Sequence, residues 1–265
     1  MIQDLPERYQ PIGQTENGGF GAVTFCNDIH LDRRVAIKFL HDRSQQRRIF
    51  DEVKALLQMR SKHVVQVYDV VVSPNGEFGI VQEYIDGEDL SEPNGKWRTT
   101  DDYLKIIWQI ATGIADIHSA GLIHRDIKPM NMKICKEGIL KIFDFGLARE
   151  EGPRAHTVGF VGTRGFAAPE LYEGGQFTKA IDIYAFGVTA IFIALGELHG
   201  QLQNPREAGL GCNLLHGHHL NLPVEVVDTL WRCIAPNAQD RPEISEVRDL
   251  LASYLLRNKH QALAV

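Results

Sequence analysis

Apolar positions change their rhythm near residue 87. Before it they come in short β-branched runs, Val35-Ala36-Ile37 and Val64 to Val72, bounded by polar clusters, which predicts strands. Ser73-Pro74-Asn75-Gly76 predicts a turn that folds the second run back against Phe78 to Gln82 as a hairpin. One helix interrupts the strands: Ser44 is its candidate cap, and Ile49, Val53, Leu56 and Leu57 repeat at helical spacing.

Beyond Gly87 the period becomes helical. Residues 88–100 are polar, carry Pro93 and Gly95, and read as a connector. Tyr103, Ile106, Ile107, Ile110, Ile114 and Ile117 then form one apolar stripe, predicting a core-facing helix. Further helices are expected at 181–196, 223–234 and 243–256. Strands first and helices later predict an α+β chain of two unequal lobes, residues 1–86 and 87–265. No internal repeat or low-complexity segment stands out.

Composition narrows the class. A chain of 265 residues that is 44% hydrophobic can bury a large core. The net charge of −6 and the lack of a basic block argue against a nucleic-acid partner. The densest basic stretch, Arg43 to Arg48, lies in the predicted helix and reads as a solvated face. Cys26, Cys135, Cys212 and Cys233 lie far apart, as expected of free thiols in a reducing compartment. Cys212 with His216, His218 and His219 matches no common zinc spacing and reads as a polar loop. Met1 to Gln10 is polar, without the pattern of a signal peptide. Ile181 to Leu195 is the most apolar stretch, but it contains Asp182 and falls short of the ~20 residues of a membrane span. A cytoplasmic chain with no membrane span is the expectation.

Two polar stretches carry candidate chemistry. The first is His124-Arg125-Asp126-Ile127-Lys128-Pro129-Met130-Asn131, and the second is Asp144-Phe145-Gly146. An acid, a lysine, an amide and a second acid at fixed offsets suit phosphoryl transfer from ATP to a hydroxyl. Asp126 is the candidate base, and Lys128 can neutralise charge on the moving group. Asn131 and Asp144 offer the oxygen donors that magnesium prefers. The bland alternative is a buried polar turn, which the other motifs in their order oppose. Asn17-Gly18-Gly19-Phe20-Gly21-Ala22-Val23 lies between predicted strands, where glycines let a backbone approach phosphate oxygens. A tight hairpin would explain those glycines equally well. Lys38 ends an apolar strand and needs an anion or solvent. Glu52, three residues after Ile49 and four before Leu56, shares their inward face and needs a cation.

Taken together, the glycine-rich loop, Val35-Ala36-Ile37-Lys38, the His124–Asn131 loop and Asp144-Phe145-Gly146 resemble the protein kinase family. Lys128 followed by Pro129 resembles the serine/threonine branch, and the whole looks like its eukaryotic-like bacterial type. The resemblance covers about residues 9–255. It implies a bilobal fold with ATP and Mg2+ bound between the lobes. It further implies that Gly18, Gly19, Gly21, Val23 and Ala36 contact the nucleotide, that Glu52 holds Lys38, and that Lys38 holds the α- and β-phosphates. Backbone groups of Glu83 and Ile85 would bond the adenine edge, with Lys133 beneath it. Glu16 stands where the family's first glycine would be in an ungapped count. A carboxylate there repels phosphates unless it points to solvent, and Gly13 fills the place only with three extra residues.

Gly162-Thr163-Arg164 leading to Ala168-Pro169-Glu170 resembles the end of a kinase activation segment, which implies a protein substrate. Asp182 is expected to accept backbone N–H groups of the catalytic loop. By the same resemblance Arg241, in Asp240-Arg241-Pro242, pairs with Glu170. Thr157 is a candidate phosphorylation site whose phosphate Arg125 would bind. Two rival readings remain: a pseudokinase that only binds partners, and a kinase of small molecules.

Overall fold

The computed structural model describes residues 5–18, 21–40, 53–73, 76–91, 99–145, 149–150, 162–172, 177–195, 215 and 219–263. Its backbone divides into two compact units, Met1–Asp86 and Gly87–Val265.

The first unit is built on an antiparallel sheet. Its strands are β1 (Tyr9–Pro11), β2 (Glu16–Gly18), β3 (Gly21–Asp28), β4 (Arg33–Leu40), β5 (Val67–Val72) and β6 (Phe78–Glu83). They lie in the order β1-β3-β4-β6-β5, with β2 paired to β3. The runs at 35–37, 64–72 and 78–82 thus fall on strands, although Val64 to Gln66 precede β5. The expected turn is there too: Gly76 N–H donates to the Ser73 carbonyl at 2.8 Å and Glu77 N–H to Ser73 Oγ at 3.1 Å.

Alternation along β4 decides what this sheet buries. Val35, Ile37 and Phe39 pack with Tyr9, Cys26, Val71 and Val81 in one apolar cluster. Ala36 and Lys38 face the other side. Gly79 is needed opposite Phe39, because a Cβ there would lie 2.9 Å from both the Ile37 and Phe39 side chains. Burial within the cluster pushes the Cys26 thiol up to about 11, so it stays an inert thiol. Cys26, Cys135 and Cys233 are all free, as expected. Residues 53–58 are helical, with Val53 and Leu56 buried. Ser44, Ile49 and Glu52 lie outside the described residues.

One buried carboxylate staples the sheet's edge. Asp28 is fully buried and accepts from Arg8 Nε and Nη2, both at 2.7 Å, while Arg33 stacks over the Tyr68 ring beside it. The hydrogen bonds from Arg8 hold the Asp28 carboxyl below its ordinary value of 3.8. Its contribution is therefore present above that value and is lost as pH falls through the lower folded-state value. Asp28→Asn is expected to cost ~1–3 kcal/mol at neutral pH. It should also flatten the acid limb of the stability curve relative to wild type. Urea unfolding followed across pH checks both.

The second unit is organised around the helix Thr100–Ser119. Thr99 caps it by accepting from Asp102 N–H at 3.1 Å, and Asp101 and Asp102 complement the positive end of its dipole. Tyr103, Ile107, Ile110, Ile114 and Ile117 are completely buried, so the predicted stripe is the core face. The helix Ala180–Leu195 is buried on nearly every side, which explains why its sequence is apolar apart from Asp182 and Thr189. Gly187 permits the close approach of Cys233, since a Cβ would meet the Cys233 Cβ at 2.8 Å. Helices Val224–Cys233 and Ile244–Leu263 follow, the latter ending seven residues beyond the expected position 256. No helix among the described residues is long and apolar enough to cross a membrane.

The connector expected at 88–100 needs correction at its start. Strand β7 (Gly87–Asp89) joins β9 (Met132–Cys135) and β10 (Leu140–Ile142) in a three-stranded sheet. The sequence here is polar, so pairing is carried by the backbone. Gly87 allows it, because a Cβ would sit 2.5 Å from the Ile134 carbonyl oxygen. A second small ribbon pairs β8 (Leu122–Ile123) with β11 (Arg149–Glu150).

Candidate active site

The polar loop 124–131 leaves β8 and ends in a 3-10 turn, Pro129–Asn131. Arg125 adopts φ +70°, a conformation costly for a non-glycine residue, so surrounding contacts must hold it. Asp182 supplies them. Its carboxylate is fully buried and accepts from His124 N–H at 2.8 Å (Oδ2) and Arg125 N–H at 2.8 Å (Oδ1), and it meets His118 Nε2 at 3.0 Å. Burial alone would push this carboxyl up. The His118 contact, the nearby His124 and the Arg125 N–H outweigh it and hold the group below 3.8. The expected role of Asp182 is therefore present in the geometry. His118, at the end of the helix Thr100–Ser119, is a partner that sequence reading did not single out.

Within the loop, side chains converge on Asp126, which is 5% exposed. Its Oδ2 accepts from Asn131 Nδ2 at 2.9 Å and lies 2.7 Å from Lys128 Nζ. Its Oδ1 accepts from the Thr163 hydroxyl at 2.7 Å, and that hydroxyl also accepts from Lys128 Nζ at 2.7 Å. A hydroxyl thus sits against both the carboxylate and the ammonium. Thr163 appeared in the sequence only as part of a motif. Its contact spans 37 positions, and no local pattern signals it.

The second acidic stretch is tied to the same loop. His124 Nε2 lies 3.1 Å from the Phe143 carbonyl oxygen, Phe143 N–H donates to the Asn131 carbonyl at 3.0 Å, and the His124 and Phe145 rings are 4.8 Å apart. Asp144, at φ +67°, follows directly. Asn131 Nδ2 is spent on the carbonyl and carboxylate of Asp126, so Oδ1 is the atom of this amide that could ligate a cation. An amide oxygen and a carboxylate suit a hard ion that completes its shell with water and phosphate oxygens. No cluster of three or more His, Cys, Asp or Glu residues that could hold a metal occurs among the described residues. Gly146 lies outside them.

The platform behind the loop is anchored as anticipated. Arg241 donates to both Glu170 oxygens, at 2.6 and 2.8 Å, and to the carbonyls of Ala180, Ala235 and Pro236. Five bonds use every guanidinium hydrogen, a fork that lysine cannot reproduce. Arg125 stacks over the Phe177 ring at 3.8 Å. Thr157, its expected phosphorylated partner, lies outside the described residues.

Strand register organises the remaining candidates within the first unit. Val23 stands opposite Lys38, and Ala36 opposite Gln82, so Val23, Ala36, Lys38 and Gln82 share one face of the sheet. Lys38 is 7% exposed. Gly18 stands opposite Gly21 at the tip of the β2–β3 hairpin; Gly19 lies outside the described residues. Pro11 pairs with Cys26 and Glu16 with Val23, so Ile12 to Thr15 oppose only Phe25 and Thr24. The two surplus residues are absorbed at Gly13, φ +84°, and from Glu16 onward the hairpin is ungapped. Glu16 is exposed. Glu83 ends β6, where its N–H donates to the Gln66 carbonyl at 2.8 Å. Ile85 follows outside any strand. In the second unit, the Lys133 ammonium lies 3.7 Å from Asp89.

Residues 7–260 match the model of the protein kinase domain. The chain belongs to the protein kinase family, whose members use ATP and, as a rule, a divalent metal. It is 32% identical to mitogen-activated protein kinase 12 of Danio rerio over 207 residues, covering 74% of this chain and 56% of that protein. It is 38% identical over 194 residues to serine/threonine-protein kinase drp72 of Corynebacterium efficiens, 68% of this chain and 37% of the relative. PknA, a serine/threonine-protein kinase of Corynebacterium glutamicum, is 37% identical over 195 residues, with coverage of 68% and 41%. The chain thus spans little more than half of the first of these relatives and less of the other two.

Proposed function

We propose that this chain transfers the γ-phosphoryl group of ATP to serine and threonine hydroxyls of proteins, with Mg2+ as the metal. The observation that carries the reading is the Thr163 hydroxyl held at 2.7 Å by both the Asp126 carboxylate and the Lys128 ammonium. A substrate hydroxyl bound in the same way is oriented for attack. As its oxygen bonds to the γ-phosphorus, the bond to the bridging oxygen of ADP breaks and the hydroxyl proton passes to Asp126. Lys128 offsets the charge on the transferring group. Asn131 and Asp144 would hold Mg2+, which would neutralise charge on the phosphate oxygens.

For the nucleotide, Gly18, Gly19 and Gly21 approach the phosphates, Val23 and Ala36 cover the base, and Lys38, held by Glu52, binds the α- and β-phosphates. Glu83 and Ile85 offer backbone groups to the adenine edge. The common sheet face of Val23, Ala36 and Lys38 supports this assignment. Exposure of Glu16 supports it as well, because a solvated carboxylate repels phosphate weakly. The Glu170–Arg241 fork supports a protein acceptor, since it fixes the segment that follows Thr163. Thr157 is assigned as an autophosphorylation site whose phosphate Arg125 receives.

The test is an acceptor panel. Purified protein, γ-labelled ATP and Mg2+ are incubated with Ser/Thr-bearing proteins and with small hydroxylated molecules. Label is expected on protein serine and threonine, including Thr157, and is expected to vanish when the metal is chelated. Label confined to small molecules would overturn the reading, as would nucleotide binding without transfer.

A further inference from the structure

We infer that Arg164 selects acceptor sites flanked by acidic residues, a specificity that rests on the protein-kinase reading above. The backbone of 162–167 is tightly specified. Phe166 N–H and Ala167 N–H both donate to the Thr163 carbonyl at 3.1 Å, and Gly165 has φ +91°. That is a tight turn with glycine third, the position where positive φ is required, and Arg164 is its second residue. Gly162, at φ +111°, lies against the Arg125 carbonyl, where an added Cβ would be 3.4 Å away. Phe166 is buried and anchors the far side. These contacts hold the turn beside the catalytic loop.

At one end of this turn is the hydroxyl that touches Asp126 and Lys128. One residue on, Arg164 is exposed and makes no ion pair or hydrogen bond with the other described residues. Its Cα lies ~3.8 Å from that of Thr163, and an extended peptide advances ~3.3–3.6 Å per residue. A substrate residue one to three positions from the acceptor hydroxyl thus comes within reach of the guanidinium. Carboxylates there gain a planar, bidentate partner, whereas lysine or arginine meets a like charge. The chain's overall charge of −6 opposes acidic partners at long range, so the preference is local.

The experiment compares matched peptides that differ only in carrying Glu or Lys at the one to three positions on either side of a single Ser/Thr acceptor. They are assayed with the full chain and Mg-ATP. Wild type is expected to favour the Glu-flanked peptide by about 3- to 10-fold in kcat/KM, and less at high salt. Arg164→Gln is expected to flatten the ratio, and Arg164→Glu to reverse it. The inference is overturned if wild type treats the two peptides alike or prefers lysine. It is equally overturned if Arg164→Glu keeps the acidic preference. If no peptide accepts phosphate while Mg-ATP binds, the kinase reading itself fails and this specificity falls with it.

Discussion

Asp126→Asn is expected to lower turnover roughly 10²–10⁴-fold while leaving Mg-ATP binding intact. The substitution preserves shape, so one oxygen can still accept from Thr163 or from Asn131. Two things are lost. The amide cannot take the hydroxyl proton, and its NH2 group must face a donor, either the Thr163 hydroxyl or the pair formed by Lys128 and Asn131. Because the nucleotide contacts assigned to the first unit do not involve Asp126, affinity for ATP should persist. Calorimetry on the variant, beside steady-state kinetics, separates binding from chemistry. Wild-type turnover would remove Asp126 from its role.

Asp182→Asn is expected to damage both stability and activity. Two backbone N–H groups and the His118 ring nitrogen converge on a fully buried carboxylate. An amide turns one of its faces into a donor, which opposes either Arg125 N–H or the His124 and His118 side. Breaking a buried charged hydrogen-bond network of this kind costs ~3–5 kcal/mol. The strained φ of Arg125 then loses its support, and Asp126 is the next residue. A displacement of about 1 Å there suffices for a further loss of ~10²-fold in turnover. The carboxyl's depressed pKa fixes the pH dependence. Stability from Asp182 is complete above its ordinary value of 3.8 and is lost as pH falls through the lower folded-state value. Asp182→Asn should therefore weaken the acid dependence of unfolding. An unchanged denaturation midpoint together with unchanged turnover would contradict this account.

How much of this could be read in advance depends on the distance over which each contact acts. Asp126, Lys128 and Asn131 lie within one loop, so their spacing alone suggested their chemistry, and the loop does bring them together. The buried stripe from Tyr103 to Ile117 was visible because a helix repeats its core face every turn. Strand β7 was not visible, since three polar residues carry no period and the strand exists through the backbone of Ile134. The helix Ile244–Leu263 runs past its expected end at 256. Its apolar spacing fades after Leu256, but neither glycine nor proline stops it before Leu263. The Glu170–Arg241 fork was expected only from family resemblance, and no composition or periodicity links two residues 71 positions apart. The contacts of Thr163 with Asp126 and of His118 with Asp182 span 37 and 64 positions and leave no local pattern either. The surplus residues at Gly13 needed a strand register before their place could be assigned.

The most direct test of the central claim is label transfer from γ-labelled Mg-ATP to a peptide offering serine, threonine and tyrosine, with wild type and Asp126→Asn run side by side. The account predicts phosphoserine or phosphothreonine from wild type, little or no phosphotyrosine, and almost no label from the variant. Equal labelling by the two proteins, or Mg-ATP bound by wild type with no label on the peptide, would contradict it.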